Sequence, residues 1–333
     1  MPQILTVVAY HFVRELPYTR YPEIKGLLTS QFKEQLTYLK KYYTFVTVAD
    51  CLNTLHNETN KLPSNACLLT FDDAYIDHFM TVFPILEENK IQGCFFPPAK
   101  AIISHEVLDV NKIHFILASA HKDLDQLIRD VYTCLEKYRS QYRLKSNSHY
   151  YSKLAVKNRF DIAEIIFIKR LLQMELEEHV RKLITDELFQ KYVTRDEKSF
   201  SRELYMDLGQ IKCMSRNGMY IGSHGFDHRW LNRLTPAEQE KEIDESLRFL
   251  GSVNAPTKNW VMSYPYGAYD DSLIEILKKK GCSFALTTKV DITNFSKENA
   301  YTLERLDTND MPKVSNAEPN SWTKKIINNN GED

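Results

Sequence analysis

Short apolar runs recur along this chain, each followed by a stretch of helical periodicity, and this alternation constrains the fold more than any other feature. The runs cover residues 4–9, 45–47, 67–71, 93–96, 219–222, 260–264 and 284–287, with a weaker one at 302–306. Strand-like runs alternating with helical patterns are the signature of a mainly parallel sheet. The expected class is therefore α/β.

Some helices carry their own punctuation. Thr235-Pro236-Ala237-Glu238 supplies a capping threonine, a proline at the first helical position and a glutamate three after the cap. Residues 271–280 repeat Leu273, Ile274 and Leu277 at helical spacing and stop at Gly281, which suits a left-handed cap. Between 104 and 199 the strand pattern lapses into amphipathic helical stretches, such as 124–138 and 162–188. Charges of alternating sign, as in Glu175, Glu177, Glu178, Arg181 and Lys182, read as a solvated face. The chain thus divides into a discontinuous core, 1–103 and 200–308, a helical insertion at 104–199, and a polar tail at 309–333 that is expected to be mobile.

Composition excludes some partners. With 43 Lys+Arg against 44 Asp+Glu in 333 residues the net charge is −1, so no global field holds nucleic acid or an anionic membrane. The 6 cysteines are widely spaced, without a CxxC pair, and read as reduced core thiols. The first residues enter a strand without a basic leader, and no apolar run approaches the roughly 20 residues of a spanning helix. A cytoplasmic protein without a transmembrane segment is the expectation.

The chemistry collects where the apolar runs end. Leu69-Thr70-Phe71-Asp72-Asp73-Ala74-Tyr75 closes one run with two carboxylates, and Ser223-His224-Gly225-Phe226-Asp227-His228 places two histidines four apart after another. Alone, an Asp-Asp pair is more often a helix cap, and residues 75–86 do follow with a helical rhythm. Together, Asp and two His have the composition of a catalytic metal site, with three protein ligands and a position left open. Neighbours in a regular strand face opposite ways, so both carboxylates share one cleft only if the strand has ended there. A bound cation would then take one as ligand and keep the other ionised as a base. Ser263-Tyr264-Pro265-Tyr266-Gly267, after a third run, is either an ordinary turn or a rigid loop offering a backbone N–H to an oxyanion.

In this order, the three elements resemble the polysaccharide deacetylases with a NodB homology domain, carbohydrate esterase family 4. Phe83-Pro84-Ile85-Leu86 and Gly93-Cys94-Phe95-Phe96 extend the first motif into a similar strand–helix–strand unit, and Tyr10-His11 resembles the family's early Tyr-His pair. The resemblance covers about residues 4–308, less the insertion. It implies a distorted, incomplete (β/α) barrel with a divalent metal on Asp73, His224 and His228. Zinc is the family's expectation, while cobalt, nickel, manganese or iron suit the same donors. It further implies Asp72 as general base, the Tyr266 N–H as oxyanion donor, and Tyr264 and Pro265 beside an acetamido-sugar substrate, from which acetate is released.

The chain also departs from the family pattern. Ala74 replaces a usual glycine, which requires only an unstrained backbone there. Ser263 stands where many members carry an arginine that orients the base. No Leu-x-His follows the last strand: Leu303-Glu304-Arg305 stands there, and His11 is the candidate to protonate the leaving amine, with Asp72 returning its proton as the alternative. The expected activity is N-deacetylation of a cytoplasmic glycan precursor, nucleotide-linked or lipid-linked. Deformylation, hydrolysis of another linear amide, or silent carbohydrate binding are the alternatives. The insertion is expected to border the active-site mouth and to shape substrate choice or a homo-oligomer interface.

Overall fold

The computed structural model of the protein describes residues 3–56, 60–158 and 161–329. Two compact units emerge, each with its own core. The first runs up to Glu15, over Gly26–Ser104 and onward from Arg202; the second comprises Leu16–Lys25 and His105–Ser201.

All described strands belong to the first unit: β1 (Gln3–Tyr10), β2 (Thr44–Phe45), β3 (Ala66–Asp72), β4 (Gly93–Phe96), β5 (Tyr220–Ile221), β6 (Trp260–Ser263), β7 (Cys282–Leu286), β8 (Thr293–Phe295) and β9 (Leu306–Asp307). One sheet has the order β5-β4-β3-β1-β8, with β2 pairing β3 and β9 pairing β1; β6 and β7 form a second sheet. Among the described strands, β1–β8 is the one antiparallel pair. The bridges Ser223↔Met262 and Leu286↔Leu303 are isolated, so the barrel is distorted and incomplete.

Every residue of β3 is buried, which explains why its sequence shows no alternation of apolar and polar positions. Leu5, Val7, Leu68, Cys94, Phe96, Val261, Phe284 and Leu286 share one core. The register pairs Tyr10 with Phe71 and Asp72 with Phe96, so β1, β3 and β4 end level with one another. Residues just beyond those C-terminal ends are thereby gathered at one end of the unit, where (β/α) folds build their sites. The short β8, with exposed Asn294 at its centre, lies outside the runs that read as strands.

The helix Pro236–Ser252 opens with the expected reciprocal cap, the Thr235 side chain accepting from the Glu238 N–H and the Glu238 side chain from the Thr235 N–H. Gly281, at φ 75°, follows the helix Asp271–Lys279 as the left-handed residue. Helical backbone follows from residue 76 as the rhythm suggests, but a π-helical turn, His78–Val82, is set into it before Phe83–Glu88. All 6 cysteines are free thiols.

The second unit contains the helices Asp109–Ser119, Leu124–Tyr142, Asn147–Leu154, Ala163–Arg170 and Glu178–Tyr192. The stretch read as continuous over 162–188 is interrupted by a π turn, Leu171–Glu175, and by extended Leu176. Lys112 is buried on the helix Asp109–Ser119 and reaches Asp186 at 2.6 Å and Glu197 at 2.9 Å. Two partners offset the large cost of taking its charge out of water.

Part of the segment expected to be a mobile tail is helical and packed. Residues 309–329 carry the helix Ser321–Asn329, with Thr323 and Ile326 buried. Tyr38 Oη donates to Thr323 Oγ1 at 2.9 Å, and Asn320 Nδ2 donates to the Asp310 carbonyl at 2.7 Å. A few anchoring contacts hold a segment whose composition is mostly polar. No described helix is long and apolar enough to cross a membrane.

Candidate metal centre and its carboxylate partner

β3 ends at Asp72, and the next two residues turn the chain through left-handed backbone, with φ 74° at Asp73 and 55° at Ala74. This break lets neighbouring carboxylates address one site. It also corrects the reading of Ala74: the position is not unstrained, and an L-residue there carries a steric cost that glycine would avoid.

Asp73 Oδ1 lies 3.5 Å from His224 Nε2 and 3.4 Å from His228 Nε2. The three donor atoms lie within 4.8 Å of one another, the arrangement of a small cation site. Hydrogen bonds orient Asp73 and His224, whereas His228 Nδ1 is buried with no partner among the described residues. Tyr75 Oη donates to the other oxygen of Asp73 at 2.7 Å. His224 Nδ1 is 2.6 Å from the Ser263 carbonyl; a carbonyl only accepts, so Nδ1 carries the proton and Nε2 presents its lone pair. Asp73 Oδ1 is buried and accepts no hydrogen bond among the described residues. A buried acceptor left over between two imidazole nitrogens is costly alone and fits a divalent cation well.

Asp72 makes a different set of contacts. Its Oδ2 accepts from Arg305 Nη2 at 2.8 Å and from Ser263 Oγ at 3.2 Å, while Oδ1 is buried without a partner among the described residues. Arg305 is itself fixed, its Nε donating to the Thr287 carbonyl at 2.8 Å and its Nη1 to Thr70 Oγ1 at 3.3 Å. Burial pushes the Asp72 carboxyl up, but the Arg305 guanidinium, with His224 and His11, outweighs it and holds the group at about 2. Asp73 is likewise held well below the usual carboxylate range: burial opposes, and the neighbouring imidazoles of His224, His228 and His11 prevail. Burial lowers the His228 imidazole to about 4 despite Asp73, whereas His224, facing both carboxylates, is raised against its burial.

The remaining expected residues fall in different places. His11 is exposed just beyond β1, and its carbonyl accepts from His78 Nε2 at 2.9 Å. Tyr266 is left-handed, at φ 58°, and its ring stacks on Trp230 at 4.4 Å and meets His228 edge-on at 4.6 Å. Pro265 is buried beside Gly225. Tyr264 departs from expectation: its ring is fully buried, stacked on Tyr269, and its hydroxyl donates to the Tyr301 carbonyl, so it packs the core instead of lining a substrate position.

Arg305, Tyr75 and Trp230 were not read as site residues. Arg305 had a local signal, an arginine inside the weak apolar run 302–306, where a charge has to find a partner. Tyr75 and Trp230 had none beyond proximity to the motifs.

Residues 189–285 match the sequence profile of the polysaccharide deacetylase family. The match takes in His224, His228 and Tyr266; Asp72, Asp73 and Arg305 lie outside it and rest on the geometry. YxkH of Bacillus subtilis (strain 168), named as a polysaccharide deacetylase, is 30% identical over 92 residues, which are 28% of this chain and 33% of YxkH. The aligned part thus spans about a third of that relative's length. Solved structures share the fold. A Streptococcus pyogenes deacetylase, PplD in complex with acetate, superposes with a TM-score of 0.57 at 15% identity, covering 98% of each chain. IcaB from Ammonifex degensii gives 0.53 at 18% identity, over 98% of this chain and 96% of its own.

Proposed function

We propose that this chain, a relative of the polysaccharide deacetylases in sequence and fold, is a metal-dependent hydrolase that removes the N-acetyl group from an amino sugar. The observation that carries the reading is the buried convergence of Asp73, His224 and His228 beside a separately ion-paired Asp72. Those three residues would hold the cation, which is zinc by the family resemblance, since the same donors also suit other transition metals. When bound, it supplies Lewis acidity to the amide carbonyl and to the attacking water.

The chain's own groups supply the rest. Asp72 takes a proton through Oδ1, the oxygen that carries no bond, while Arg305 and Ser263 hold Oδ2 and fix the carboxylate's plane. Arg305 therefore does for the base what an arginine at position 263 does in many relatives, reaching it from the opposite end of the sequence. Because an arginine stays charged, it cannot replace the missing late histidine as an acid. The departing amine takes its proton from Asp72 or from His11, which stands just beyond the end of β1. The Tyr266 N–H serves the developing oxyanion. The substrate is an acetamido sugar on a nucleotide or lipid carrier, handled in the cytoplasm.

The test combines metal content with acetate release. Wild type is expected to bind close to one zinc per chain and His224→Ala to lose it. Wild type then releases acetate from acetamido sugars on a soluble or lipid carrier. Formate release from formamido analogues alone moves the assignment to deformylation. Stoichiometric zinc with glycan binding and no acyl release at all makes the chain a silent binding protein. An empty wild type at excess zinc removes the metal reading.

A further inference from the structure

Three buried polar side chains on the helix Pro236–Ser252, Gln239, Glu242 and Ser246, lie on one face at spacings of three and four residues. Glu242 and Ser246 are bonded to the segment that carries the two histidines, and Gln239 to the chain just beyond it and to Asp270. Ser246 Oγ and Ser223 Oγ share a 2.6 Å hydrogen bond, and Ser223 Oγ accepts from the Gly225 N–H at 3.2 Å. Glu242 Oε2 alone accepts from both the Phe226 and the Asp227 N–H, each at 3.0 Å. Gln239 Nε2 donates to the Leu231 carbonyl at 3.0 Å. The other side of the loop is held as well, the Lys100 N–H donating to the Phe226 carbonyl at 2.9 Å and Lys100 Nζ to Asp227 at 2.9 Å.

This bonding falls on a segment with left-handed backbone at two positions: Gly225, at φ 73°, takes that conformation at no steric cost, whereas His228, at φ 50°, carries some strain that the surrounding contacts hold. The carboxylate touches neither imidazole. It fixes the peptide groups between them, and so the separation and direction of the two ligand atoms. Resting on the metal reading above, we propose that Glu242 is a positioning residue for the His224/His228 pair, setting the metal-binding geometry through the loop backbone.

Two conservative variants separate reach from charge. Glu242→Asp keeps the charge but withdraws the acceptor by one methylene, whereas Glu242→Gln loses the charge and keeps a carbonyl oxygen able to accept both bonds. Zinc affinity, measured by competition with a chromophoric chelator, is expected to fall at least tenfold in Glu242→Asp, the usual scale for loss of an outer-shell partner, and to stay within about threefold in Glu242→Gln. Unfolding midpoints of the zinc-free proteins, taken in parallel, show that both variants are folded. Zinc binding as tight as wild type in Glu242→Asp overturns the proposal, as does equal weakening in both variants. An inability of wild type itself to bind zinc is a separate result, which removes the metal centre and not the clamp.

Discussion

Asp72 and Asp73 are adjacent in sequence, equally buried and differently employed, and the difference lies in what each oxygen touches. Asp72 has one oxygen saturated by Arg305 and Ser263 and one left over; Asp73 has one bonded to Tyr75 and one between two imidazoles. Removing Arg305 would strand a buried carboxylate, which costs roughly 3–5 kcal/mol if it stays ionised. The carboxylate avoids that cost by taking up a proton, and then it is no longer a base. Arg305→Gln is therefore expected to lower kcat by about 100-fold or more at neutral pH, with zinc affinity within about threefold, because none of the three donors is touched. Equal loss of zinc would assign Arg305 to the metal centre instead. At Ala74 the magnitudes nearly cancel. Glycine would relieve ~1 kcal/mol of left-handed strain, yet would give up a buried methyl at ~0.8 kcal/mol and free the unfolded chain by ~0.5 kcal/mol. Ala74→Gly is thus expected to shift stability in urea by less than about 1 kcal/mol, which is why alanine is tolerated at a backbone position made for glycine.

The π turn His78–Val82 matters at the level of elements because it fixes the end of β1. His78 Nε2 donates to the His11 carbonyl, and the neighbouring Asp77 accepts from the Val13 N–H and from Arg14. His78 Nδ1 is buried with no partner among the described residues. Burial and the charge of His11 push the imidazole down to about 4, against the hydrogen bond to the His11 carbonyl and the more distant Asp72 and Asp73. The folded value lies below the unfolded one, near 6.5, so the unfolded chain takes up a proton first as pH falls. Stability should decline from about pH 6.5 to about pH 4 and change no further below, a swing of ~3 kcal/mol from this group. His78→Phe should flatten that limb in denaturant titrations at a series of pH values; an unchanged slope would show that His78 titrates normally. Elements of this kind mark the limit of what the sequence discloses. Strand ends, the Thr235 cap and the motifs at 72–73 and 224–228 are local patterns and could be read directly. The Arg305–Asp72 pair joins positions 233 residues apart, and it exists only because β9 lies beside β1 and β1 beside β3. Likewise, a π turn adds a residue to a helical rhythm without altering its composition, so 75–86 reads as one helix.

At the scale of the whole molecule, the donors of the candidate centre and every residue argued to orient them come from one unit. Asp73, Tyr75, His224, His228, Ser263, Arg305 and Glu242 all fall in the first, whereas the second has a separate core and its own buried charge cluster around Lys112. A ligand that binds only the native state stabilises what must unfold to release it, by ~2.7 kcal/mol at a hundredfold excess over Kd. If each unit is its own cooperative piece, that stabilisation belongs to the first alone. Hydrogen exchange with and without zinc should then slow about 100-fold at core amides of β1, β3 and β4, while amides in the helices Asp109–Ser119 and Glu178–Tyr192 exchange at unchanged rates. Stripping the metal with a chelator should reverse the effect in the same places. Equal slowing in both sets would mean that the chain unfolds as a single piece, with the helical unit contributing to the stability of the metal centre; slowing in neither would mean that zinc does not bind the native state.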